Sequence, residues 1–165
     1  GWVAPSPVFA QGLIFAASGR NGPLLAIQPG GRGDVTGTHV AWRHETGGPY
    51  VCSALVYGDE LFVHNEQGIL TCYDAKTGRE QFRERLEGKF SASAVAAEGR
   101  VYVTSEEGVT FVFKAGPRFE LLARNELGER CLASPAVSGG SILIRTEMQL
   151  FCLAERERGR GVPAD

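Results

Sequence analysis

The clearest strand pattern of the chain occurs in residues 53–85, SALVYGDELFVHNEQGILTCYDAKTGREQFRER. Short apolar runs in it alternate with turn residues such as Gly58-Asp59, and no helix signal occurs. Four antiparallel strands joined by short turns form a meander, and one such sheet cannot bury both of its faces alone. The pattern predicts four strands, over residues 51–57, 60–65, 69–73 and 79–85.

This unit occurs four times along the chain. Each copy begins at a serine, and the serines are separated by 47, 40 and 41 residues. An apolar strand centre follows eight residues after each serine. A repeat of about 40 residues without a helix signal is the size of one propeller blade. The serines are Ser6, Ser53, Ser93 and Ser134, and the strand centres are Ile14, Leu61, Val101 and Ile142.

The repeat predicts an all-β fold, a β-propeller of four blades, each a four-stranded antiparallel meander. Propellers have roughly four to eight blades, and we expect these four to form an open arc of a seven- or eight-bladed ring. An open arc exposes an apolar face at each end, which predicts a homodimer or further blades from a longer parent chain. The predicted blades are residues 2–46, 47–88, 89–128 and 129–154, followed by a charged flexible tail over 155–165.

A polar segment between the third and fourth strands of the second unit contains Asp74, Thr77 and Gly78. Its side chains could belong to a small catalytic loop. Asp and Thr also hydrogen-bond nearby backbone, and Gly readily takes a positive φ. The equivalent segments of other units keep turn residues but lose the Asp. We therefore interpret these three residues as a structural turn.

The segment CYDAKTGREQF, residues 72–82, resembles the repeat of the pyrroloquinoline-quinone-like (PQQ-like) propeller family. That repeat has an aromatic residue, Asp, two variable residues, Thr-Gly and a late Trp. Phe82 stands where the Trp belongs, and Trp42 supplies the Trp in the first unit. The resemblance extends over residues 2–154 and implies that Trp42 and Phe82 dock neighbouring blades together.

The resemblance implies a choice of functions, because the family includes quinone-dependent dehydrogenases and non-catalytic scaffolds of outer-membrane assembly. We expect a non-catalytic scaffold without a cofactor, belonging to a larger exported bacterial protein in the periplasm or outside the cell. One alternative is a fragment of an alcohol or sugar dehydrogenase that holds PQQ and calcium. Catalytic members carry a disulfide between adjacent cysteines, and no two cysteines are adjacent here. Another alternative is a sensor domain attached to a kinase or a membrane anchor.

The net charge and the lengths of the apolar runs exclude some classes of partner. A net charge of −2 over 165 residues provides no electrostatic footprint for a nucleic acid. No apolar run approaches the roughly 20 residues of a membrane-spanning helix. The three histidines do not converge in the pattern, and the neighbouring Glu106 and Glu107 are expected in a solvated turn, so no metal site or acid–base pair is predicted. We expect a protein partner, bound by loops on the propeller faces.

One loop of the first unit is lengthened by the insert PGGRGDVTGT, residues 29–38. Its Arg-Gly-Asp tripeptide can be read by adhesion receptors, but it also arises by chance in Gly-rich loops. A loop longer than its counterparts is where a repeat protein tends to carry function. We expect a contact site for a partner there, formed by Arg32, Gly33, Asp34 and Thr36.

Overall fold

The computed structural model describes residues 4–154, which form fifteen β-strands in four sheets. The first sheet has β1 (Val8–Ala10), β2 (Leu13–Ala17), β3 (Leu24–Ile27) and β4 (Val40–His44). The second has β5 (Leu55–Tyr57), β6 (Glu60–His64), β7 (Ile69–Asp74) and β8 (Glu80–Arg85). The third has β9 (Val95–Ala97), β10 (Arg100–Thr104), β11 (Val109–Lys114) and β12 (Leu121–Glu126). The fourth has β13 (Ala136–Ser138), β14 (Ser141–Arg145) and β15 (Leu150–Ala154).

Each sheet is a meander, since its strands are hydrogen-bonded in chain order and every pair is antiparallel. The predicted all-β architecture of four consecutive sheets is confirmed, and we call the sheets blades 1 to 4. The fourth blade differs from the expected four-stranded meander, because it has three strands within the described residues, which end at Ala154. The predicted tail over 155–165 lies outside the described residues.

The first strand of the second blade was expected over residues 51–57, and this prediction is wrong in length. The strand β5 covers Leu55–Tyr57 alone. The N–H of Ser53 is instead donated to the Ser93 side chain of the next blade, so the segment before β5 does not pair with β6. The other three boundaries agree to within one residue.

The blades are arranged side by side as an open arc. The first strands lie next to one another in the order β1, β5, β9 and β13. The fourth strands β4, β8 and β12 are the outer edges of their sheets. Within residues 4–154, β13 does not contact β1, so the four blades do not close on themselves.

The four repeat serines link the blades through equivalent hydrogen bonds. The Ser6 N–H donates to Ser53 Oγ at 3.0 Å, Ser53 N–H to Ser93 Oγ at 2.9 Å, and Ser93 N–H to Ser134 Oγ at 2.8 Å. Each bond satisfies a backbone donor that the short inner strands leave unpaired. We call this series the serine ladder.

The core lies between blades rather than within them. Side chains alternate along a strand, so neighbouring residues of β6 enter different junctions. Leu61 and Val63 pack toward blade 1, whereas Phe62 packs toward blade 3. The junction of blades 1 and 2 buries Leu13, Phe15, Leu24, Ala26, Leu61, Val63, Tyr73 and Ala75. The junction of blades 2 and 3 buries Cys52, Phe62, Leu70, Cys72, Leu86, Phe90, Ala94, Val101, Val103, Val109, Phe111 and Phe113.

Candidate functional site

An open cleft of about 850 Å³ crosses one face of the arc. It lies at the end of the strands that carries the β2–β3, β6–β7 and β10–β11 turns and the connections between blades. Blades 1, 2 and 3 all contribute to it, so no single repeat forms it. The lining residues are Arg20, Tyr50, Val51, Glu66, Gln67, Arg85, Gly88, Lys89, Ser91 and Glu106.

The cleft combines paired and unpaired charges. Arg20 Nε lies 3.1 Å from Glu66 Oε1, and its guanidinium lies 4.6 Å from the centre of the Tyr50 ring. Glu66 is thus neutralised from blade 1 across the junction. Arg85 and Lys89 form no ion pair with any described residue. The cleft therefore presents two cations that are available to an anionic group.

Glu106 is the second carboxylate of the cleft. It accepts a hydrogen bond from Ser91 Oγ at 2.5 Å, and its Oε2 lies 3.8 Å from Arg130. Its partners come from the connections on either side of blade 3. The solvated turn expected for Glu106 and Glu107 is therefore only partly correct. Glu106 is half-buried and held by neighbours, and Glu107 is exposed but accepts the Lys89 N–H at 3.3 Å.

Backbone hydrogen bonds hold the floor of the cleft. The Phe90 N–H donates to the Glu66 carbonyl at 3.1 Å, and the Glu106 N–H donates to the Lys89 carbonyl at 2.7 Å. The connection between blades 2 and 3 is thus fixed between the turns of both blades. Such fixed backbone presents the side chains of the cleft with little freedom to rearrange.

The predicted contact loop lies on the opposite face. It connects β3 to β4, at the other end of the strands from the cleft. Arg32, Gly33, Asp34 and Thr36 are all exposed. Asp34 Oδ1 accepts a hydrogen bond from the Thr36 N–H at 2.9 Å, and this bond lowers the pKa of Asp34. The loop and the cleft cannot form one site, since they are at opposite ends of the blade.

The segment containing Asp74, Thr77 and Gly78 forms a closed hydrogen-bonded turn. Asp74 Oδ1 accepts bonds from the Thr77 N–H and from Thr77 Oγ1, both at 2.8 Å, which lower the pKa of Asp74. The Gly78 N–H donates to the Asp74 carbonyl at 2.8 Å, with Gly78 at a φ of 72°. The Asp74 carboxylate thus accepts its hydrogen bonds from within its own turn.

Trp42 of blade 1 lies on this turn of blade 2. Its Nε1 donates to the Ala75 carbonyl at 2.9 Å. A Cβ on Gly78 would lie 2.6 Å from Trp42 Cδ2, so the ring rests directly on the glycine backbone. His44, two residues further along β4, bonds the Gly78 carbonyl at 2.7 Å.

Phe82 and Ala123 occupy the positions of Trp42 in the next two blades. Trp42 is paired with Ala26, Phe82 with Cys72, and Ala123 with Val112, each beside a bulge in the ladder. Phe82 packs on Phe119 of blade 3, with ring centres 5.7 Å apart. Ala123 presents no aromatic ring to blade 4. An open cleft of about 870 Å³ lies between blades 3 and 4.

No metal centre is found among the described residues. Within residues 4–154, no three His, Cys, Asp or Glu side chains lie close enough together to hold a metal ion. All four cysteines are free thiols, of which Cys152 is exposed. No helix long and apolar enough to cross a membrane occurs in the same residues.

Sequence reasoning missed the cleft. Its signal was present, since Glu66 and Glu106 occupy the same turn position in consecutive units. Their cationic partners Arg20 and Arg130 come from other turns and connections, so a repeat alignment does not connect them.

Comparison with known proteins supports the propeller assignment. The family model described as "Outer membrane protein assembly factor BamB" matches residues 33–116, just over half of the chain. The outer membrane protein assembly factor BamB of Burkholderia pseudomallei (strain K96243) is 26% identical over 154 residues, covering 88% of this chain and 39% of the relative. The chain thus spans about two fifths of the length of that curated relative.

Solved structures share the fold at low sequence identity. BamB from Moraxella catarrhalis superposes with a TM-score of 0.71 at 12% identity, over 97% of this chain and 46% of that one. The computationally designed Ika4 protein superposes with a TM-score of 0.72 at 11% identity, over 93% of each chain. A europium-containing methanol dehydrogenase has a TM-score of 0.59 at 13% identity, over 74% of this chain and 24% of that one.

These likenesses agree with the four antiparallel sheets of the chain. Because the family model covers more than half of the sequence, the chain belongs to the BamB-like family of PQQ-like propeller repeats.

Proposed function

We propose that this chain is a non-catalytic protein-binding scaffold and that it works as part of a larger exported protein. The observation that carries the proposal is the cleft across blades 1 to 3, with Arg85 and Lys89 unpaired in it. Its family supports the proposal too, since a relative is named as an outer membrane protein assembly factor. That name also supports a location in the periplasm or outside the cell.

The chemistry of the cleft favours an extended acidic segment of a protein partner. Tyr50 and Val51 supply apolar surface, and Tyr and Arg are typical of the centres of protein interfaces. Arg85 and Lys89 can receive carboxylates without displacing an existing ion pair. Arg20 is already paired with Glu66, which leaves a net positive surface for the partner.

A second contact is proposed at the loop of Arg32, Gly33, Asp34 and Thr36. The loop is exposed, and its Gln28 N–H and His39 carbonyl close it at the base with a 2.7 Å hydrogen bond. Because it is on the face opposite the cleft, a partner there would be bound independently of the acidic segment.

The two free ends of the arc are proposed to receive further blades. These blades come either from a longer parent chain or from a second copy of this chain. Both sources fit the apolar side chains that the end blades expose, such as Phe9 and Leu150.

Selection of peptides on the purified chain tests the proposed function. A random library of twelve-residue peptides displayed on phage should yield binders rich in Asp and Glu. The doubly substituted Arg85→Glu/Lys89→Glu chain should bind the selected peptides at least tenfold more weakly in a fluorescence anisotropy titration. The matched control is Arg118→Glu, which changes an exposed arginine on the opposite face and should leave binding unchanged.

Two results would overturn the proposal. One is equal peptide binding by the native chain and the doubly substituted chain. The other is saturable binding of PQQ in the presence of calcium, measured by calorimetry, which would favour the dehydrogenase alternative.

A further inference from the structure

The free face of blade 4 repeats a face that is buried inside the arc. The pairing Leu143 with Cys152 corresponds to the pairing of Phe62 with Cys72 in blade 2. In blade 2 this face packs against blade 3. On blade 4 it is open, with Leu150 65% and Leu132 48% exposed. Its members are Leu132, Ala136, Leu143, Leu150 and Cys152, at the positions of Val51, Leu55, Phe62, Leu70 and Cys72.

The free face of blade 1 corresponds to the face of blade 2 that packs onto the preceding blade. Ile14 corresponds to Leu61, which packs from blade 2 onto blade 1. Phe9 on the same face is 67% exposed. Its members are Phe9, Ile14, Ala16, Leu25 and Ile27, at the positions of Val56, Leu61, Val63, Thr71 and Tyr73. The free faces of blade 4 and blade 1 therefore correspond to the two kinds of face that pack together at each junction inside the arc.

Within the described part of the chain, the serine ladder leaves an unpaired donor at one end and an unpaired acceptor at the other. Each serine N–H donates to the serine Oγ of the following blade. Among the described residues, the Ser134 N–H has no acceptor and Ser6 Oγ has no donor. A blade 1 placed after blade 4 would therefore continue the ladder from Ser134 to Ser6.

We propose that two copies of this chain close one eight-bladed ring, with blade 4 of each copy packed on blade 1 of the other. Closed propellers have roughly four to eight blades. One copy has four blades and does not close. Three copies would have twelve, which exceeds that range. Two copies bury both apolar ends in two identical head-to-tail contacts.

Arg43 lies on the free face of blade 1, where it pairs with Leu25, and Arg145 is a charged residue on the free face of blade 4. Arg145 takes the position of His64, whose Nε2 bonds the Ala92 carbonyl at 2.9 Å across the junction of blades 2 and 3. The residue that corresponds to Ala92 before Ser6 is Pro5. In the ring, the Arg145 guanidinium donates to the Pro5 carbonyl of the second copy, so its charge keeps a polar partner.

The mass of the chain in solution tests the ring. Light scattering should report twice 17.7 kDa for the native chain at tens of micromolar. Leu150→Glu places a carboxylate in the contact and should give a folded monomer. Leu122→Glu makes the same change at a 46% exposed residue of blade 3, away from both ends, and should remain a dimer. A folded native monomer at 100 micromolar, or a dimeric Leu150→Glu chain, would overturn the proposal, and the monomer would favour the blades of a longer chain.

A cysteine pair distinguishes the ring from other dimers. Ser6→Cys and Ser134→Cys are combined with Cys152→Ser, which removes the exposed native thiol. Mild oxidation should yield a covalent dimer in which residue 6 of each copy forms a disulfide with residue 134 of the other. The control chain, with Ser6→Cys and Cys152→Ser but native Ser134, should not form this disulfide. The absence of the covalent dimer, or a ladder of higher multimers, would contradict closure by two copies.

Discussion

The N–H of Ser53 donates to Ser93 Oγ at 2.9 Å, across the junction between blades 2 and 3. The two residues hold the same position in consecutive repeats, 40 residues apart in the sequence. In blades 1, 2 and 3, a backbone donor just before the first strand is therefore satisfied by the next repeat rather than by its own sheet. This makes the stability of one blade depend on its neighbour.

Replacement of Ser93 by Ala should lower the free energy of unfolding by about 1 kcal/mol, because the half-buried Ser53 N–H loses its acceptor. Ser138→Ala is the control, since Ser138 is exposed at the end of β13. Urea denaturation followed by circular dichroism measures both. Equal losses in the two variants would show that the ladder does not stabilise the junction.

Replacement of Gly78 by Ala should cost more than the same change at Gly128. Both residues have a positive φ, 72° and 71°, so both variants incur about 1 kcal/mol of backbone strain. Only at Gly78 does the new Cβ meet another group, at 2.6 Å from Trp42 Cδ2, whereas at Gly128 nothing lies within 4 Å. We expect a further 1–3 kcal/mol or so at Gly78 from this overlap. Indistinguishable denaturation midpoints would contradict the close contact with Trp42.

Two substitutions of Trp42 separate its packing from its hydrogen bond. Trp42→Phe keeps a ring over blade 2 but loses the bond to the Ala75 carbonyl, at a cost of about 1 kcal/mol. Trp42→Ala also removes the packing and should cost roughly 3 kcal/mol. The neighbouring Arg43→Ala is the control, because Arg43 is exposed and its ion pair with Glu45 is worth about 0.5 kcal/mol or less. A Trp42→Ala chain as stable as Arg43→Ala would remove the docking role.

Acid should weaken the fold through His64. Complete burial lowers the pKa of His64 from 6.5 to about 4. Between these two pH values the unfolded chain binds more protons than the folded chain, so the free energy of unfolding falls as the pH is lowered from about 6.5 to 4. The maximum loss from this residue is about 3 kcal/mol.

The contribution of His64 can be isolated with His64→Gln, whose side chain does not titrate in this range. Denaturation at pH 7 and pH 4.5 should show a smaller loss of stability in this variant than in the native chain. The carboxylates titrate in both chains and cancel in the comparison. An equal loss in both would mean that His64 is already accessible to protons in the folded state.

The buried thiols should resist alkylation in the folded chain. Burial raises the pKa of both Cys52 and Cys72 to about 12, so almost no thiolate is present at pH 8. In the Cys152→Ser variant, which lacks the exposed thiol, iodoacetamide should modify Cys52 and Cys72 only after unfolding in urea. Mass spectrometry of the alkylated chain locates the modified residues. Rapid modification of Cys72 without urea would contradict its place in the junction of blades 2 and 3.

The sequence contains enough local information to predict the blades. The alternation of Leu61, Phe62 and Val63 assigns each side chain to a face, and the turn residues at Asp74–Gly78 end the third strand. Both signals act over a few residues, which is why the strands and their order were predictable. The length of β5 was not, because its limit is set by the serine of another blade.

The cleft could not be predicted from the sequence, because its charged residues come from different blades. Arg20 and Glu66 lie 3.1 Å apart although 46 positions separate them in the sequence, and only the packing of blade 1 on blade 2 brings them together. The equivalence of Ala123 with Trp42 and Phe82 likewise follows from the register of the strands, which places all three at the same position of their blades.

The repeat, the meander of each blade and the residues that face its neighbours therefore follow from the amino-acid sequence, since alternation and turn chemistry are local properties. The packing of the blades on one another instead sets which charges meet in the cleft and how the serines connect the blades. These features arise from contacts between residues of different blades, and the free energy of such contacts depends on distances that no single repeat specifies.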